Sequence, residues 1–499
     1  MLINFLKKAI IKVMRFLIVR PFFSVEKFYF PRFINESLGA EYLTAFLDKE
    51  HDVFLIDALA EKWNNYWSHP NYPEIIFQGI KPKNLLKKID EYKPDIIGIN
   101  WPFSTQNNSI RLTLKTIRDW SKDVPIVVGG PHPSANPEKI LEDYKEIDII
   151  VYGEGEVTTK EILKNKELGK INGIAFRKKG EIIINPPRSL IKNIDSIPFP
   201  KRNPKYYNNY SKQYFYEAVY LRLKGLGLGH EINNFITSKI TNAPFHALYY
   251  KIHNKRNRKF LPAADIITSR GCPNHCTFCA IHNMWQHKWR MRSAENVLEE
   301  IDYLVKNFGI KHLNIQDDNF NISKERTVKI CKGIVKNKYN ITLLAPAGAF
   351  VPTLDKEVLY WLKKAGLTEL RMSIESGNQK VLREIIKKNI DLKQVKLIVK
   401  MCKDLGIKTE GAFIFGIPGE TIETMKESLS FAKKTGFDRI VKFIFQPFPN
   451  TELYNVCLDN NYLTKGYDPN KLYITGNKCY IKTDKFSPQD VLKIVNRNF

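Results

Sequence analysis

The chain reads as an α/β protein built in two consecutive series, a fold class that rests on three observations. Five short β-branched runs, Phe16–Val19, Val53–Ile56, Ile96–Ile99, Ile126–Val128 and Ile149–Val151, alternate with stretches of helical character. A second series begins at Ala263, with strands expected at Asp265–Ile267, His312–Ile315, Thr342–Leu344, Glu369–Ile374, Gly411–Phe415 and Val441–Phe445. The length, 499 residues, exceeds what one hydrophobic core usually serves, so two or three domains are expected.

Short apolar runs bounded by turn residues are how strands of a parallel sheet read, because helices cover both faces. The first series is therefore expected to be a Rossmann-like (flavodoxin-like) parallel sheet. Ligands of such sheets bind beyond the carboxyl ends of the strands, where strand order reverses. The residues there are Arg20-Pro21, Asn100 to Thr105, Gly129 to His132 and Gly153 to Glu156. Ser104 and Thr105 offer hydroxyls, and Gly129, Gly130, Gly153 and Gly155 allow close backbone approach beside His132 and Glu154. Ordinary turns of a flavodoxin-like domain would account for the same spacing.

In the second series, helices are expected over Ala294–Asn307, Asp355–Ala365, Asn378–Lys388 and Leu392–Leu405. Right-handed crossovers between successive parallel strands give a curved sheet or barrel. Between the two series, residues 201–262 are crowded with aromatics (Tyr206, Tyr207, Tyr210, Tyr214, Phe215, Tyr216, Tyr220) and end in a basic run, Lys255–Lys259. They read as a packed linker or as an insertion that closes over substrate. Gly225-Leu-Gly-Leu-Gly229 has no strand before it and no helix cap after it, so it is not a dinucleotide loop.

Composition narrows the function. A hydrophobic content of 43% fits a globular protein. The formal charge of +26 comes from 78 Lys and Arg against 52 Asp and Glu, dispersed along a chain also rich in Asn and Ile. Dispersed charge names no nucleic-acid partner. The seven cysteines form no disulfide framework, which fits a reducing cytoplasm. No run of 18 apolar residues is present, so no spanning helix is expected. Residues 1–13 read as a basic amphipathic helix that would lie on a membrane surface, pack on the protein body or form an upstream extension, with Met14 just before the first strand.

The most specific motif is Thr268-Ser-Arg-Gly-Cys-Pro-Asn-His-Cys-Thr-Phe-Cys279. Three thiolates on one loop, from Cys272, Cys276 and Cys279, suit three irons of a cubane cluster and leave the fourth iron open to a small molecule. Zinc prefers four ligands in paired spacing, and His275 or His282 would complete such a set only awkwardly.

This run resembles the signature of radical S-adenosylmethionine (SAM) enzymes, with Phe278 in the aromatic slot that packs near the adenine of SAM. The leading series, with Gly129-Gly-Pro-His-Pro133, Tyr152-Gly-Glu-Gly-Glu156 and Ile194-Asp-Ser-Ile-Pro-Phe-Pro200, is similar to the cobalamin-binding domain of class B radical SAM enzymes. The D-x-H-x-x-G motif that brings histidine to cobalt is absent, so the resemblance implies cobalamin without a lower histidine and casts His132 as a loop contact. It divides the chain into an N-terminal extension (1–13), a cobalamin-binding domain (14–165), a linker and insertion (166–262), a partial six-stranded radical SAM barrel (263–452) and a C-terminal segment (453–499).

Active groups of parallel barrels project from the carboxyl ends of the strands. The resemblance assigns SAM contacts there to one of Asp317 and Asp318, to Glu375 and to backbone around Gly416. Period-2 alternation would send the two aspartates to opposite sides. Glu420 and Thr421 also read as the start of a helix. Arg290 and Arg292 would hold an anionic group and Trp285 and Trp289 line an apolar cavity, or Arg292-Ser293 would organise the next helix. The implied cofactors are a [4Fe-4S] cluster, SAM and cobalamin, with an electron donor such as flavodoxin or ferredoxin. The implied reaction starts from a 5′-deoxyadenosyl radical and methylates an unactivated carbon of a small-molecule or lipid-like substrate. Cyclisation, oxidation or rearrangement is the runner-up, and a non-catalytic cobalamin or SAM sensor is a rival of another class. A tRNA methylthiotransferase fits poorly, because no cysteine precedes Cys272.

Overall fold

The computed structural model describes residues 13–26, 35–210, 262–469 and 478–496. The basic N-terminal stretch up to residue 12 and the aromatic segment 211–261 lie outside them. The chain divides into two compact units. The first comprises Met1–Ile191, Ser196–Asp265 and Gly309–His312; the second comprises Lys192–Asp195, Ile266–Phe308 and Leu313–Phe499.

The first unit contains β1 (Arg15–Arg20), β2 (Phe23–Glu26), β3 (Asp52–Asp57), β4 (Tyr66–His69), β5 (Tyr72–Gln78), β6 (Ile96–Asn100), β7 (Ile126–Gly129), β8 (Ile149–Val151), β9 (Ile174–Lys178) and β10 (Glu181–Ile184). Seven of them form one sheet in the order β10-β9-β8-β7-β6-β1-β3. All pairs from β3 to β8 are parallel. The order turns back between β1 and β6, so Arg20 and Asn100 flank the crevice where such sheets bind ligands. Both faces are apolar: Leu17, Val19, Ile97 and Val128 pack on one side, Phe16, Ile18, Ile96 and Val127 on the other.

Two features of this unit were not anticipated. β9 and β10 extend the sheet antiparallel, and β2, β5 and β4 form a separate antiparallel sheet. Its strands are short and Pro73 interrupts the start of β5, so the run Ile75-Ile-Phe77 stands alone as a signal. Aromatic packing holds it instead: Trp67 stacks on Phe77 at 4.6 Å between ring centres, and Phe22 meets both rings edge-on.

The second series consists of β11 (Ala263–Ile266), β12 (Ser269–Arg270), β13 (Arg290–Met291), β14 (His312–Ile315), β15 (Thr342–Leu344), β16 (Glu369–Glu375), β17 (Lys408–Phe415) and β18 (Arg439–Ile444). The boundary between the units runs through β11 and β14. Two three-stranded sheets result, β11-β14-β15 and β16-β17-β18, with one parallel bridge, Leu343 to Leu367, between β15 and the approach to β16. Leu370, Met372 and Ile374 are buried on one face of β16, while Arg371 and Ser373 remain partly exposed on the other. The intervening helices start at side-chain caps from Ser323, Asp355, Asp391 and Thr421.

The helix expected over Asn378–Lys388 is present but shorter and irregular: residues 379–380 are α-helical and lead into a π-helical turn, Val381–Ile385. The N–H of Ile386 bonds the carbonyl of Val381, and left-handed Lys387 (φ 56°) ends the turn. The carbonyls of Ile385 and Ile386, which have no donor within the helix at its end, accept from Thr277. Among the described residues, no helix is long and apolar enough to cross a membrane.

Candidate functional site

The cysteine loop is held from three directions. Gly271, directly before Cys272, has φ +87°, and a β-carbon there would stand 2.1 Å from the carbonyl oxygen of Lys288. Asp317 accepts from the N–H and hydroxyl of Thr268 and from the hydroxyl of Ser269, at 2.6, 2.5 and 2.6 Å. Asp318 accepts from the N–H of Gly271 at 3.1 Å. The two carboxylates thus act on one segment, not on opposite sides, because β14 ends at Ile315 and strand alternation no longer applies. Asn319 donates to the Cys272 sulfur at 3.0 Å, and its carbonyl accepts from the Trp289 ring N–H at 3.0 Å.

Thr277, in the middle of the loop, is committed on every polar atom. Its N–H bonds Ile386 O at 3.1 Å, its hydroxyl bonds Ile385 O at 2.8 Å, and its carbonyl accepts from Leu453 N at 3.0 Å. Cys272 and Cys276 are buried, while Cys279 and Phe278 are partly buried. Burial raises all three thiols, Cys276 to about 11 and Cys279 to about 12. Neutral thiols buried on one short loop release their protons when a cation binds. Among the described residues no ready-made triad of His, Cys, Asp or Glu ligands converges, so the fit to an iron–sulfur cluster rests on the donor set, its shared loop and its desolvation. The nearby histidines do not complete a zinc set: His287 stacks between His275 and His282, with ring centres at 4.2 and 3.7 Å.

Glu375 ends β16 at a register shift and has φ +72°. Its Oε1 pairs with the ammonium of Lys388 at 2.7 Å, and the same ammonium donates to the Ser373 carbonyl at 2.7 Å. Gly416, past the end of β17, lies against Val491 of the helix Pro488–Val495. Glu420 is fully buried, accepts from Ile417 N at 2.9 Å, and is pushed up to about 8 by burial. Thr421 caps the helix Ile422–Thr435, so these two residues serve the turn and helix start. Burial likewise raises Asp317, and raises Asp318 to about 7, where the charge of Asp317 adds to it. Arg292 is buried against Glu300 and the Ile267 carbonyl, an organising role for the helix that follows. Arg290 lies over the ring of Trp285 at 5.5 Å.

In the first unit the loops after β6, β7 and β8 are laced together. Ser104 Oγ is 2.8 Å from Nδ1 of His132, whose ring packs on Trp101 at 4.5 Å. Thr105 shares the helical turn Ser104–Gln106. Gly129 pairs in register with Asn100 and with Val151. Gly130 has φ +125° and passes so close over Trp101 that a β-carbon would lie 2.6 Å from its carbonyl oxygen. Ser134 Oγ donates to Gly130 O at 2.8 Å and accepts from Gly153 N at 3.1 Å. Glu154 is buried, with one oxygen accepting from Ile191 N at 2.7 Å, and Gly155 opens the helix Gly155–Leu163. These loops lie at the carboxyl ends of β6, β7 and β8, beside the strand-order reversal at β1 and β6, where ligands of such sheets bind.

Sequence reasoning missed Ser134, Thr277, Asn319 and Lys388, and gave Trp101, inside the loop Asn100 to Thr105, no role of its own. None lies in a spacing pattern that marks chemistry, and Lys388 reaches Glu375 from thirteen positions away.

Residues 266–432 match the model of the Radical SAM superfamily, and residues 32–163 match that of the B12 binding domain. The chain is 30% identical over 430 residues to the uncharacterized methyltransferase PH0819 of Pyrococcus horikoshii, covering 85% of this chain and 79% of that one. It is 24% identical to the anaerobic magnesium-protoporphyrin IX monomethyl ester cyclase of Rubrivivax gelatinosus, over 78% of this chain and 64% of the relative. Among solved structures, the radical SAM methyltransferase TsrM of Kitasatospora setae, with cobalamin and a [4Fe-4S] cluster bound, superposes with a TM-score of 0.65 at 16% identity, over 91% of this chain and 80% of that one.

Proposed function

Because the chain belongs to the cobalamin-dependent radical SAM enzymes, we propose that it transfers a methyl group to an unactivated carbon. It is a radical SAM enzyme, and its cofactors are a [4Fe-4S] cluster, SAM and cobalamin. When bound, cluster and SAM supply the radical that removes hydrogen from carbon, and cobalamin carries the methyl group. The observation that carries methyl transfer is the union of both cofactor domains in a chain whose relative is named a methyltransferase.

The chain's own work is positioning. In this reading Cys272, Cys276 and Cys279 ligate the cluster, and Phe278, Asp318, Glu375 and backbone at Gly416 border SAM. Asp317 acts at one remove, through Thr268 and Ser269. Ser104, Thr105, Gly129, Gly130, His132, Gly153 and Gly155 face cobalamin, and Glu154 shapes their loop. The six strands β11 and β14 to β18 close into a partial barrel within 263–452, while 14–165 holds cobalamin. The two three-stranded sheets and the Leu343–Leu367 bridge support this.

The substrate is a small molecule, with a lipid-like one as the weaker option. The partly exposed face of β16 to β18 carries Arg371, Ser373 and Arg439, with buried Glu410 paired to both arginines beneath them, a surface suited to polar groups. An external donor such as flavodoxin or ferredoxin reduces the cluster. Peripheral membrane contact through residues 1–13 is tested by vesicle binding of the full chain against a chain starting at Met14; equal binding ends it.

Anaerobic turnover with reductant, cobalamin and SAM bearing a deuterated methyl group tests the reaction. Gain of the labelled methyl group with release of 5′-deoxyadenosine supports it. Ring closure or oxidation without label points to the cyclase-like reading, which the Rubrivivax gelatinosus relative favours. Cofactor binding without any 5′-deoxyadenosine points to a sensor.

A further inference from the structure

We propose that Lys388 is a positioning residue that sets the charge of the cysteine site. It acts as a fixed, buried cation that eases electron uptake there and holds Glu375 in its left-handed conformation. The inference rests on the reading of Cys272, Cys276 and Cys279 as cluster ligands.

Three observations carry it. The lysine side chain is 12% exposed, and two of its three N–H donors are spent, on Glu375 Oε1 and on the Ser373 carbonyl, each at 2.7 Å. Those two acceptors flank Ile374 at the register shift where Glu375 takes φ +72°, a conformation that costs free energy in a residue with a β-carbon. The ammonium thus ties the side chain of the strained residue to the backbone two positions before it. Second, Lys388 follows directly on the π-helical turn whose last carbonyls hold Thr277, so its backbone is tied to the cysteine loop.

Third, the charges around the thiols are unbalanced. Asp318 is held against the cysteine loop through Gly271 N at 3.1 Å, and Glu375 is buried at the end of β16. Lys388, paired with Glu375 at 2.7 Å, is the buried cation that the π-helical turn brings to the cysteine loop. Three thiolates around a cluster leave the site negative, and one-electron reduction makes it more so. A cation held out of water nearby stabilises the reduced state more than the oxidised one. Lys388 also cannot leave easily, since departure would bury an unpaired Glu375 carboxylate.

The test is a redox titration, followed by EPR without SAM, of the iron- and sulfide-reconstituted full chain, its Lys388→Met variant and its Lys388→Arg variant. The expected result is a cluster in all three. The Met variant should be harder to reduce by at least about tenfold in the one-electron equilibrium, ~59 mV, and the Arg variant should be close to the parent. A cluster that assembles with Arg but not with Met also supports the role of charge. Equal potentials in the parent and the Met variant overturn the proposal. So does an equal drop, or equal loss of the cluster, in both variants, since packing alone would then explain it. Failure of the unsubstituted chain to assemble any cluster overturns the ligand reading beneath it, and is recognised because it precedes any substitution.

Discussion

Asp317 binds Thr268 twice, taking its backbone N–H at 2.6 Å and its hydroxyl at 2.5 Å. With Ser269 as a third donor, a buried carboxylate fixes the segment that delivers the cysteine loop. Asp317→Ala would leave these donors unsatisfied, at roughly 1–3 kcal/mol for each buried group. Denaturant unfolding should show a loss of several kcal/mol, and reconstitution should yield less iron per chain. Unchanged stability would remove this carboxylate from the account of the loop.

Gly271→Ala tests the close approach before Cys272. The left-handed conformation alone costs about 1–3 kcal/mol, and the new β-carbon would meet Lys288 O at 2.1 Å, so the backbone must shift. Iron content should fall, whereas Gly309→Ala, at φ +60° with nothing within 4 Å of the added carbon, should retain it. Equal iron content in both variants would contradict the packing argument.

Glu420 predicts a pH dependence. Burial raises its folded-state value from 4.5 to about 8, so the native state holds its proton more tightly than the unfolded chain. Its favourable contribution is complete below pH ~4.5 and is lost as pH rises through about 8, at most roughly 4–5 kcal/mol. Glu420→Gln keeps an acceptor for Ile417 N and abolishes the titration. Denaturation curves between pH 5 and 9 should flatten in the variant and leave it more stable at alkaline pH; parallel curves would refute the assignment.

Glu36 and Arg202 form an ion pair with side chains 0% and 1% exposed. Removing one partner strands a buried charge, so Arg202→Met should cost ~3–5 kcal/mol, whereas the double change Glu36→Leu with Arg202→Met should recover much of it. Urea unfolding of both variants measures this. A double variant no better than the single one would mean that the pair's further bonds to Asp265 dominate.

The sheets of both units were legible where short β-branched runs carry the pattern, as in β1, β6 and β7. The β2-β5-β4 sheet was not, because aromatic packing of Phe22, Trp67 and Phe77 stabilises it and no alternation announces it. Cys272, Cys276 and Cys279 were legible because their chemistry needs a fixed spacing. Their supports were not: Asp317, Thr277 and Lys388 act through contacts 49, 108 and 13 positions distant in the chain. The helix expected at Asn378–Lys388 is present but shorter, and its π-helical turn over Val381–Ile385 has no signature in the sequence. Likewise the two aspartates follow the loop geometry past Ile315 and not the period of a strand.

The central claim is that Cys272, Cys276 and Cys279 hold a cubane cluster whose fourth iron is open to SAM. Mössbauer spectroscopy of the chain reconstituted anaerobically with iron-57, recorded before and after SAM is added, tests it most directly. The account predicts a [4Fe-4S] spectrum in which one iron site of four changes on SAM addition, and its loss in Cys276→Ala. A spectrum indifferent to SAM, or an intact cluster in that variant, would contradict it.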